Sequence, residues 1–381
     1  MLYWQYFFTP PGGWGNRRSY DFARYWRASG HEVWILSGGT YFPPSYQHAK
    51  RAFRTPEGIP IVWLPAPYHQ RQKIFGRIWA FLRFTFWSLY ILRRLRTRKL
   101  YLIATLPPPF LPMIGALRRV LTGERFSIEV FDAWPQVLSA KLPPFLYAPL
   151  GLFMNWSFRQ ADVLFALSPD IAKYLPAAHT RISYNGTRPE LFRRRKTAPF
   201  LPFRVIYAGT LGWINHLSFL VEVAELLQSY RGIEFWILGD GAERTLIMRK
   251  AHSLRSVKFF EPVPVESVPD WLSECHIGIS LVRPVAILSS NSANKFYDYL
   301  ANGLVIGLNY GGWQAEVLRS VQCGFSASSV HSFAAGILRY YWDRESWERA
   351  SARARLWATA HYNRKELSEQ VVAAIEGKVG R

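Results

Sequence analysis

Short apolar runs alternate with longer amphipathic stretches along the first half of the chain. The stretch Ser19–Ser29, which Gly30 ends, carries the spacing of a helix. The apolar runs predict strands at Leu2–Phe8, Glu32–Leu36, Ile61–Leu64, Leu100–Ala104, Phe126–Phe131, Val163–Ala166 and Arg181–Tyr184. Strands that alternate with helices in this way favour a parallel, doubly wound sheet.

The second half of the chain repeats the same alternation. Strands are predicted at Arg204–Tyr207, Glu234–Leu238, Ile277–Leu281, Val305–Leu308 and Gly324–Ala327. Helices are predicted at Leu217–Tyr230, Ala242–Ser253, Phe296–Asn302 and over most of Glu345–Ile375. The segment Pro189–Pro202 between the halves is rich in Arg and Pro and lacks apolar periodicity, as a linker does. We therefore expect an α/β protein with two Rossmann-like domains, residues 1–188 and residues 189–361.

Composition excludes several classes of protein. A hydrophobic content of 49% with 19% charged residues is that of a folded chain with a sizeable core. The two cysteines, Cys275 and Cys323, lack metal-ligand or redox spacing and suit idle thiols in a reducing compartment. The apolar start Met1–Pro10 lacks a basic segment before it, and the longest apolar run, Ile78–Leu92, falls short of the roughly 18 to 20 residues that span a bilayer. The sequence thus predicts a cytoplasmic protein.

Positive charge is concentrated in the first half. The whole chain carries +21, and residues 1–196 hold 28 Lys and Arg against 9 Asp and Glu, a net +19. Residues 58–123 contain no acidic residue. Such asymmetry predicts that the first domain meets an anionic partner.

One segment combines this charge with aromatic residues. Arg71–Lys99 contains nine Lys and Arg and no acid, with tryptophan and phenylalanine between them. A helix of this kind suits the headgroup region of an anionic membrane. The residues expected to contact the membrane are Arg71, Lys73, Arg77, Trp79, Arg83, Trp87, Arg93 and Arg94. The alternative is a buried core helix with a basic end. Nucleic acid is not an expected partner, because no nucleic-acid-binding fold signature accompanies the charge.

Three glycine-containing loops follow predicted strands. They are Gly12-Gly13, Gly209-Thr210-Leu211-Gly212 and Gly239-Asp240-Gly241. Glycine allows a backbone to approach a ligand closely, and the helix after such a loop directs its N-terminus towards an anion. Each loop taken alone is equally compatible with a tight turn. Arg283, just after the predicted strand Ile277–Leu281, is a further candidate for phosphate binding.

Taken together, the ordered segments resemble glycosyltransferase family 4, especially the bacterial O-antigen and capsule sugar transferases. The resemblance runs from about Tyr3 to Ile375. The segments that carry it are Phe8–Gly13, Ser29–Val33, Glu129–Pro135, Ser168–Asp170, Tyr184–Phe192, Tyr207–Gly212, Ile237–Arg244 and Ser292–Gly303.

The resemblance implies a fold and an activity. The fold would be GT-B, with the two domains facing across a cleft and a C-terminal helix, about residues 362–381, joining the first domain. The activity would be retaining transfer of a sugar from a nucleotide-sugar, UDP-linked, to a polyprenyl-diphosphate-linked glycan acceptor on the inner face of the cell membrane, in surface polysaccharide synthesis. No cofactor and no metal would be needed, and the sequence contains no Asp-x-Asp motif for a divalent metal.

The resemblance also assigns roles to residues. Asp132 would contact the acceptor hydroxyl and take its proton, with a turn-capping carboxylate as the alternative. Lys295 would neutralise the departing diphosphate, and Asp298 would accept hydrogen bonds from the ribose. The alternative for these two is an ordinary i,i+3 ion pair on a solvent-facing helix. The glycine loops and Arg283 would complete the donor site.

Two departures from the family pattern keep another function open. Many members carry an Arg and a Lys after the 209–212 loop, where this chain has Trp213, Asn215 and His216. The first of two usual acidic positions is occupied by Ser290. A catalytically inactive GT-B homologue that acts as a membrane-bound partner or scaffold therefore remains an alternative, and a sugar epimerase with the same architecture is a third.

Overall fold

A computed structural model describes residues 1–13, 15–38, 52–64, 66, 74–94, 101–140, 142–192 and 200–377. Within them the strands are β1 Leu2–Trp4, β2 Trp34–Ser37, β3 Ala52–Arg54, β4 Pro60–Trp63, β5 Tyr101–Leu106, β6 Arg125–Val130, β7 Val163–Ala166, β8 Thr180–Ile182, β9 Phe203–Ala208, β10 Ile233–Leu238, β11 Val257–Phe260, β12 Ile277–Ser280, β13 Val305–Leu308 and β14 Gly324–Ser326. The helices are α1 Arg18–Ala28, α2 Ile74–Arg94, α3 Phe110–Thr122, α4 Pro144–Gln160, α5 Pro169–Ala172, α6 Leu217–Leu226, α7 Arg244–Lys250, α8 Val268–Ser273, α9 Asn294–Asn302, α10 Trp313–Val321, α11 Val330–Trp342, α12 Arg344–His361 and α13 Arg364–Glu376.

The chain forms two compact units. Unit 1 contains Met1–Tyr184, Ser290–Ser292 and Arg364–Arg381, and unit 2 contains Asn185–Ser289 and Ala293–Asn363. Each unit has its own sheet and its own hydrophobic core.

The sheet of unit 1 has eight strands in the order β3-β4-β2-β1-β5-β6-β7-β8. All neighbours are parallel except β3, which pairs antiparallel with β4 at one edge. The central strand β5 is buried at all six residues, as expected for a parallel strand covered by helices on both faces. Residues of α2, α3 and α4 share one core with the sheet, whereas α1 and α13 belong to a second core on the other face.

Helix α13 is fixed to α1 by polar contacts as well as by packing. Arg364 forms a buried ion pair with Asp21 at 2.6 Å, and the Trp26 indole donates to the Ser368 carbonyl at 2.9 Å. The C-terminal helix therefore completes the core of unit 1, although the whole of unit 2 precedes it in the sequence.

The sheet of unit 2 is entirely parallel, with six strands in the order β11-β10-β9-β12-β13-β14. Its core is formed by β9, β10 and β12 against α6 and α11. The predicted fold class, two parallel-dominated α/β domains of the Rossmann type, is confirmed.

Sequence and structure differ mainly in the extent of elements. The predicted first strand ends at Trp4 instead of Phe8, and the helix expected over Ala242–Ser253 covers only Arg244–Lys250. The edge strands β3 and β11 were not predicted, nor were α3 and α4. Helix α4 contains Pro149 and α3 contains Gly115, residues that usually argue against a helix interior.

Replacement of Gly239 by alanine is expected to destabilise unit 2 strongly. A methyl group there would lie 2.0 Å from the Gly209 carbonyl oxygen, and the backbone φ of +142° disfavours any side chain. We expect a loss of about 3 to 5 kcal/mol in the free energy of unfolding, measured by urea denaturation. The control is Gly311→Ala, where a methyl group meets no atom within 4 Å and should change stability by less than about 0.5 kcal/mol. Equal stability of the two variants would contradict the prediction.

Candidate active site

The order of strands in unit 2 identifies where a ligand would bind. The chain runs from β9 outward to β10 and β11, then returns to place β12 on the other side of β9. In open parallel sheets, ligands bind beyond the carboxyl ends of the strands at such a switch point. The loop 209–212 follows β9 and Arg283 follows β12, so both lie at this position.

The loops after β9 and β10 are packed directly against each other. The Gly209 amide donates to the Leu238 carbonyl at 2.9 Å, and the Leu211 amide donates to the Asp240 carbonyl at 2.8 Å. A methyl group on Gly241 would lie 2.3 Å from the Leu211 carbonyl oxygen. The glycines therefore serve first to let the two loops interlock, and the Gly209 and Leu211 amides are engaged within the protein.

Lys295, in the first turn of α9, brings its ammonium group to this edge. Its Nζ lies 3.7 Å from the centroid of the Tyr207 ring and would lie 3.0 Å from a methyl group on Gly209. The Tyr207 hydroxyl in turn donates to the Thr210 carbonyl at 2.7 Å. The ring thus holds the cation against the glycine loop through a cation–π contact.

The environment of Lys295 is unfavourable for a positive charge. Burial lowers its pKa from 10.5 to about 7. The side chain forms no ion pair or hydrogen bond with any residue that the structure describes. A cation in the first turn also opposes the helix dipole. A lysine in this setting is poised to gain stability when an anion binds beside it.

Asp298, one turn further along α9, has a different partner. Its Oδ1 accepts a hydrogen bond from the Thr187 hydroxyl at 2.7 Å. The Thr187 amide donates to the Tyr362 carbonyl at 2.8 Å, so Asp298 helps to hold the segment that begins unit 2. The alternative i,i+3 pair between Lys295 and Asp298 is not formed, and one carboxylate oxygen of Asp298 is already occupied.

Arg283 supplies a cation next to the 209–212 loop. Its Nε donates to the Trp213 carbonyl at 2.6 Å, and its guanidinium lies 4.8 Å from the Trp213 ring centroid and 3.3 Å from the Glu243 carboxylate. Burial and then Arg283 lower the pKa of His216. A guanidinium group from the segment after β12 thus lies beside the loop, where it is paired with Glu243.

A third loop at this edge was missed from the sequence. Asn309, after β13, pairs its side-chain amide with both the amide and the carbonyl of Val282, each at 2.9 Å. The Tyr310 hydroxyl lies 3.0 Å from the Ser280 hydroxyl. The pair Gly311-Gly312 follows a predicted strand, as do the glycines of the two loops that were identified from the sequence. The same pattern would have identified this third loop.

In unit 1 the corresponding switch point lies between β1 and β5. The loop after β1 turns at Gly12, whose φ is +76°, and the Gly13 amide donates to the Pro10 carbonyl at 3.1 Å. This geometry fits a tight turn. Contact of Gly12 and Gly13 with an acceptor stays a prediction.

Asp132 follows β6, the neighbour of β5. Burial raises the pKa of its carboxyl from 3.8 to about 6. Its side chain forms no hydrogen bond or ion pair with the described part of the chain, while its backbone carbonyl accepts from the Trp134 amide at 2.8 Å. The carboxylate is therefore not a turn cap within these residues. A carboxylate with a raised pKa at a strand end is suited to act as a base near neutral pH.

A buried network behind β6 was not foreseen. Arg18 and Glu129 form an ion pair at 2.9 Å with both side chains fully buried. Tyr3 donates to the other Glu129 oxygen at 2.7 Å, and Arg18 also donates to the Ser183 hydroxyl at 2.7 Å and to the Tyr184 carbonyl. The network joins β1, α1, β6 and the segment after β8, and so fixes the strand that carries Asp132.

The residues predicted to face a membrane lie on α2, except Arg71 and Lys73, which fall outside the described residues. Trp79 is 69% exposed, and Arg83, Arg93 and Arg94 are also exposed. Trp87 is half-buried and packs against the core. Helix α2 is thus neither a fully buried core helix nor a free one.

Two family models match the chain and together cover most of it. The glycosyl transferase 4-like domain matches residues 15–186, and the glycosyl transferases group 1 model matches residues 202–343. No curated protein sequence matches.

Solved structures are similar over nearly the whole chain. Sucrose-phosphate synthase from Thermosynechococcus elongatus has a TM-score of 0.78 at 12% identity, with 99% of this chain and 98% of that chain covered. Anabaena HepE in complex with UDP has a TM-score of 0.71 at 13% identity, with 99% of each chain covered. WaaG, a glycosyltransferase involved in lipopolysaccharide biosynthesis, has a TM-score of 0.68 at 14% identity, with 99% and 100% covered. The chain is therefore a glycosyltransferase and belongs to the family 4-like glycosyltransferases of the GT-B fold.

Proposed function

We propose that this glycosyltransferase moves a sugar, with retention of configuration, from a UDP-sugar to a polyprenyl-diphosphate-linked glycan at the inner face of the cell membrane. Unit 2 binds the donor and unit 1 the acceptor, in the synthesis of a surface polysaccharide. The observation that carries the proposal is Lys295, a cation that has no counter-ion among the described residues and is held over Tyr207 at the switch point of unit 2.

The donor diphosphate is the anion that this site suits. Charge develops on the leaving diphosphate as the sugar departs, and a fixed cation lowers the energy of that state. Lys295 supplies one positive charge from α9 and Arg283 a second from the end of β12. In this proposal the side chains do the work that a divalent metal does elsewhere, so EDTA is expected to leave the rate unchanged.

We propose uridine as the base because of the ligands in solved structures that this chain resembles. The Anabaena HepE structures are complexes with UDP and with UDP-glucose, and their fold matches this chain over 99% of its length. In this proposal the Asp298 carboxylate, whose Oδ1 accepts from the Thr187 hydroxyl, also accepts a hydrogen bond from a ribose hydroxyl.

The acceptor hydroxyl needs a base late in the reaction. Asp132 meets the requirement because burial raises its pKa to about 6, which leaves it ionised at neutral pH yet basic enough to take a proton. The Arg18–Glu129 network keeps β6 in place beneath it.

A donor panel tests the function. The full chain is incubated with UDP-, GDP- and dTDP-sugars and with membranes that contain polyprenyl-diphosphate-linked glycans, and products are read by mass. We expect a mass gain of one sugar with UDP-sugars, and NMR of the new anomeric centre should show the configuration of the donor. If no donor binds at millimolar concentration, the chain is the inactive scaffold instead.

The membrane part of the proposal is supported by a whole layer of helices. Helices α2, α3 and α4 contain no acidic residue and seven arginines. They carry fourteen of the twenty-four large apolar side chains that are exposed among the described residues: Phe75, Ile78, Trp79, Leu82, Phe86, Tyr90, Leu117, Val120, Leu121, Phe145, Leu146, Leu152, Phe153 and Trp156. Exposed apolar patches of this kind are typical of interaction surfaces.

The positive charge of α2, α3 and α4 favours an anionic bilayer over a second copy of the chain as the partner of this surface. A second copy of the chain would bring a like-charged surface against this one, whereas anionic lipid attracts each arginine by about 1 kcal/mol. None of the helices within the described ranges is long and apolar enough to cross a membrane. The layer would therefore lie on the bilayer surface, with its aromatic residues at the level of the headgroups.

Removing apolar side chains from α4 should weaken vesicle binding. We expect the triple variant Phe145→Ser, Leu152→Ser, Phe153→Ser to bind vesicles of phosphatidylglycerol and phosphatidylcholine at least tenfold more weakly in co-sedimentation, because three exposed anchors are lost. The matched control is Trp342→Ser, Leu356→Ser in unit 2, whose side chains are exposed to a similar degree. Binding that is unchanged in the α4 variant, or a dimer in solution that the α4 variant abolishes, would contradict membrane docking.

A further inference from the structure

A charged cavity lies in unit 2 along the open edge of its sheet. Its volume is about 640 Å³, within the range of small-molecule sites. The edge strand β14 forms one wall, and α10 together with residues of α11 and α12 forms the others. Because β14 is the last strand of the sheet, its outer edge has no neighbouring strand within the sheet of unit 2.

The lining of this cavity is strongly basic. Arg319, Arg339, Arg349 and Arg353 face one acidic residue, Glu316, which gives a net +3. Residues 197–381 as a whole carry only 19 Lys and Arg against 17 Asp and Glu, a net +2. The cavity lining therefore carries more net positive charge than residues 197–381 as a whole. The other residues of this range sum to a net charge of −1.

At least two of the four guanidinium groups are available to a ligand. Arg319 forms no hydrogen bond or ion pair with the described residues, and Arg339 only stacks on the Tyr340 ring at 5.4 Å. Arg353 donates to the Gln322 side chain at 2.6 Å, and Arg349 pairs with Glu345. The planar guanidinium group binds phosphate oxygens in pairs, so this arrangement suits a compound with more than one phosphate.

The cavity lies to one side of the donor site, and Gly312 of the loop after β13 is the one residue of its lining that belongs to the loops described at that edge. Strand β13 lies between β12 and β14, so at about 4.8 Å per strand the wall formed by β14 lies about 10 Å from β12 and about 14 Å from β9. Lys295 and Arg283, which belong to the donor site, do not line it.

We propose that this cavity binds a diphosphate-bearing small molecule, independently of the donor site. The lining carries a net +3, which becomes +2 when Glu345, the partner of Arg349, is counted, and a charge of this size suits a diphosphate. An acidic peptide that adds a strand to the sheet is less suited, because β14 has only three residues with which to pair.

Calorimetric titration with inorganic pyrophosphate tests the site in the full chain. The titration is carried out on Lys295→Ala, in which binding at the donor site is weakened because that site has lost its buried cation. We expect pyrophosphate to bind this variant with one site, and the further substitutions Arg319→Gln and Arg353→Gln to weaken that binding at least tenfold. The matched control adds Arg231→Gln and Arg255→Gln, two exposed arginines of unit 2 outside the cavity, and should change the Kd by less than twofold.

Two results would overturn the proposal: no pyrophosphate binding by Lys295→Ala, or binding that Arg319→Gln and Arg353→Gln leave unchanged. All four arginines are exposed, so these variants should fold, and their melting temperatures should match that of the Lys295→Ala parent.

Discussion

Replacement of Lys295 by methionine is expected to lower kcat/KM for sugar transfer by about 100- to 1000-fold, the usual cost of removing one group that stabilises charge in a transition state. The same variant should be more stable than the wild type. Burial lowers the pKa of Lys295 to about 7, so around neutral pH and below it the folded chain carries a charge that the surroundings disfavour. Methionine has nearly the same shape and no charge.

The pKa of Lys295 also predicts how kcat/KM and stability change with pH. In the wild type the free enzyme loses the Lys295 proton as the pH rises through about 7, so kcat/KM should fall there. Between pH 7 and 10.5 the unfolded chain binds more protons at this lysine than the folded chain, so the contribution of Lys295 to stability increases with pH over that window. In Lys295→Met this rise should be absent, and the melting temperature at pH 6 should be higher by about 2 to 4 °C.

Lys250→Met is the control, because Lys250 is an exposed lysine of the same unit whose ammonium donates to the Ser218 hydroxyl at 3.2 Å. Its rate and stability should stay close to those of the wild type. If Lys295→Met transfers sugar at a near-normal rate, or melts well below the wild type at pH 6, Lys295 is a structural residue and the donor site has been assigned incorrectly.

Asp132→Asn is expected to lower kcat by about 100- to 10,000-fold, the range measured when a general base is removed, and to leave the KM of the donor nearly unchanged. In the wild type kcat/KM should rise with pH through about 6 as Asp132 ionises. Together with Lys295 this predicts a narrow optimum between about pH 6 and pH 7.

The stability of Asp132→Asn distinguishes a catalytic role of Asp132 from a structural one. The folded chain holds the Asp132 proton up to about pH 6 and the unfolded chain only to about 3.8, so the contribution of Asp132 to stability falls as the pH rises between these values. Above pH 6 Asp132→Asn should therefore be at least as stable as the wild type. The control is Asp170→Asn, a carboxylate of the same unit that pairs with Lys173. A loss of stability in Asp132→Asn together with normal kcat would exclude the base.

The sequence predicted the parts of the fold that depend on local pattern. Strands β7 and β13 match the predicted ranges residue for residue, because a short buried parallel strand is a continuous apolar run. The sequence also identified Lys295 and the two glycine loops of unit 2, since their spacing along the chain fixes their place at the strand ends. What these residues do there remains a prediction.

Long-range contacts were not accessible in the same way. Arg18 follows Arg17 in a polar segment, which suggests an exposed side chain, yet it is fully buried against Glu129, 111 residues away. Asp298 was expected to be open to a ligand, and its bond to Thr187 depends on a segment more than a hundred residues earlier. In helix α3 a methyl group on Gly115 would lie 2.9 Å from the Phe126 ring, so a residue that weakens the helix locally is needed by its neighbour.

Helix α13 constrains the order in which the protein matures on the ribosome. Leu367, Val371 and Ile375 belong to a core to which β1, β2, β4, β5, β7 and α1 also contribute, so that core stays incomplete until the last helix has been synthesised. At about 5 to 20 residues per second, translation of the intervening unit takes roughly 10 to 35 seconds. Until then the core residues of α1 and of the sheet, Trp26 among them, lack the packing that α13 provides.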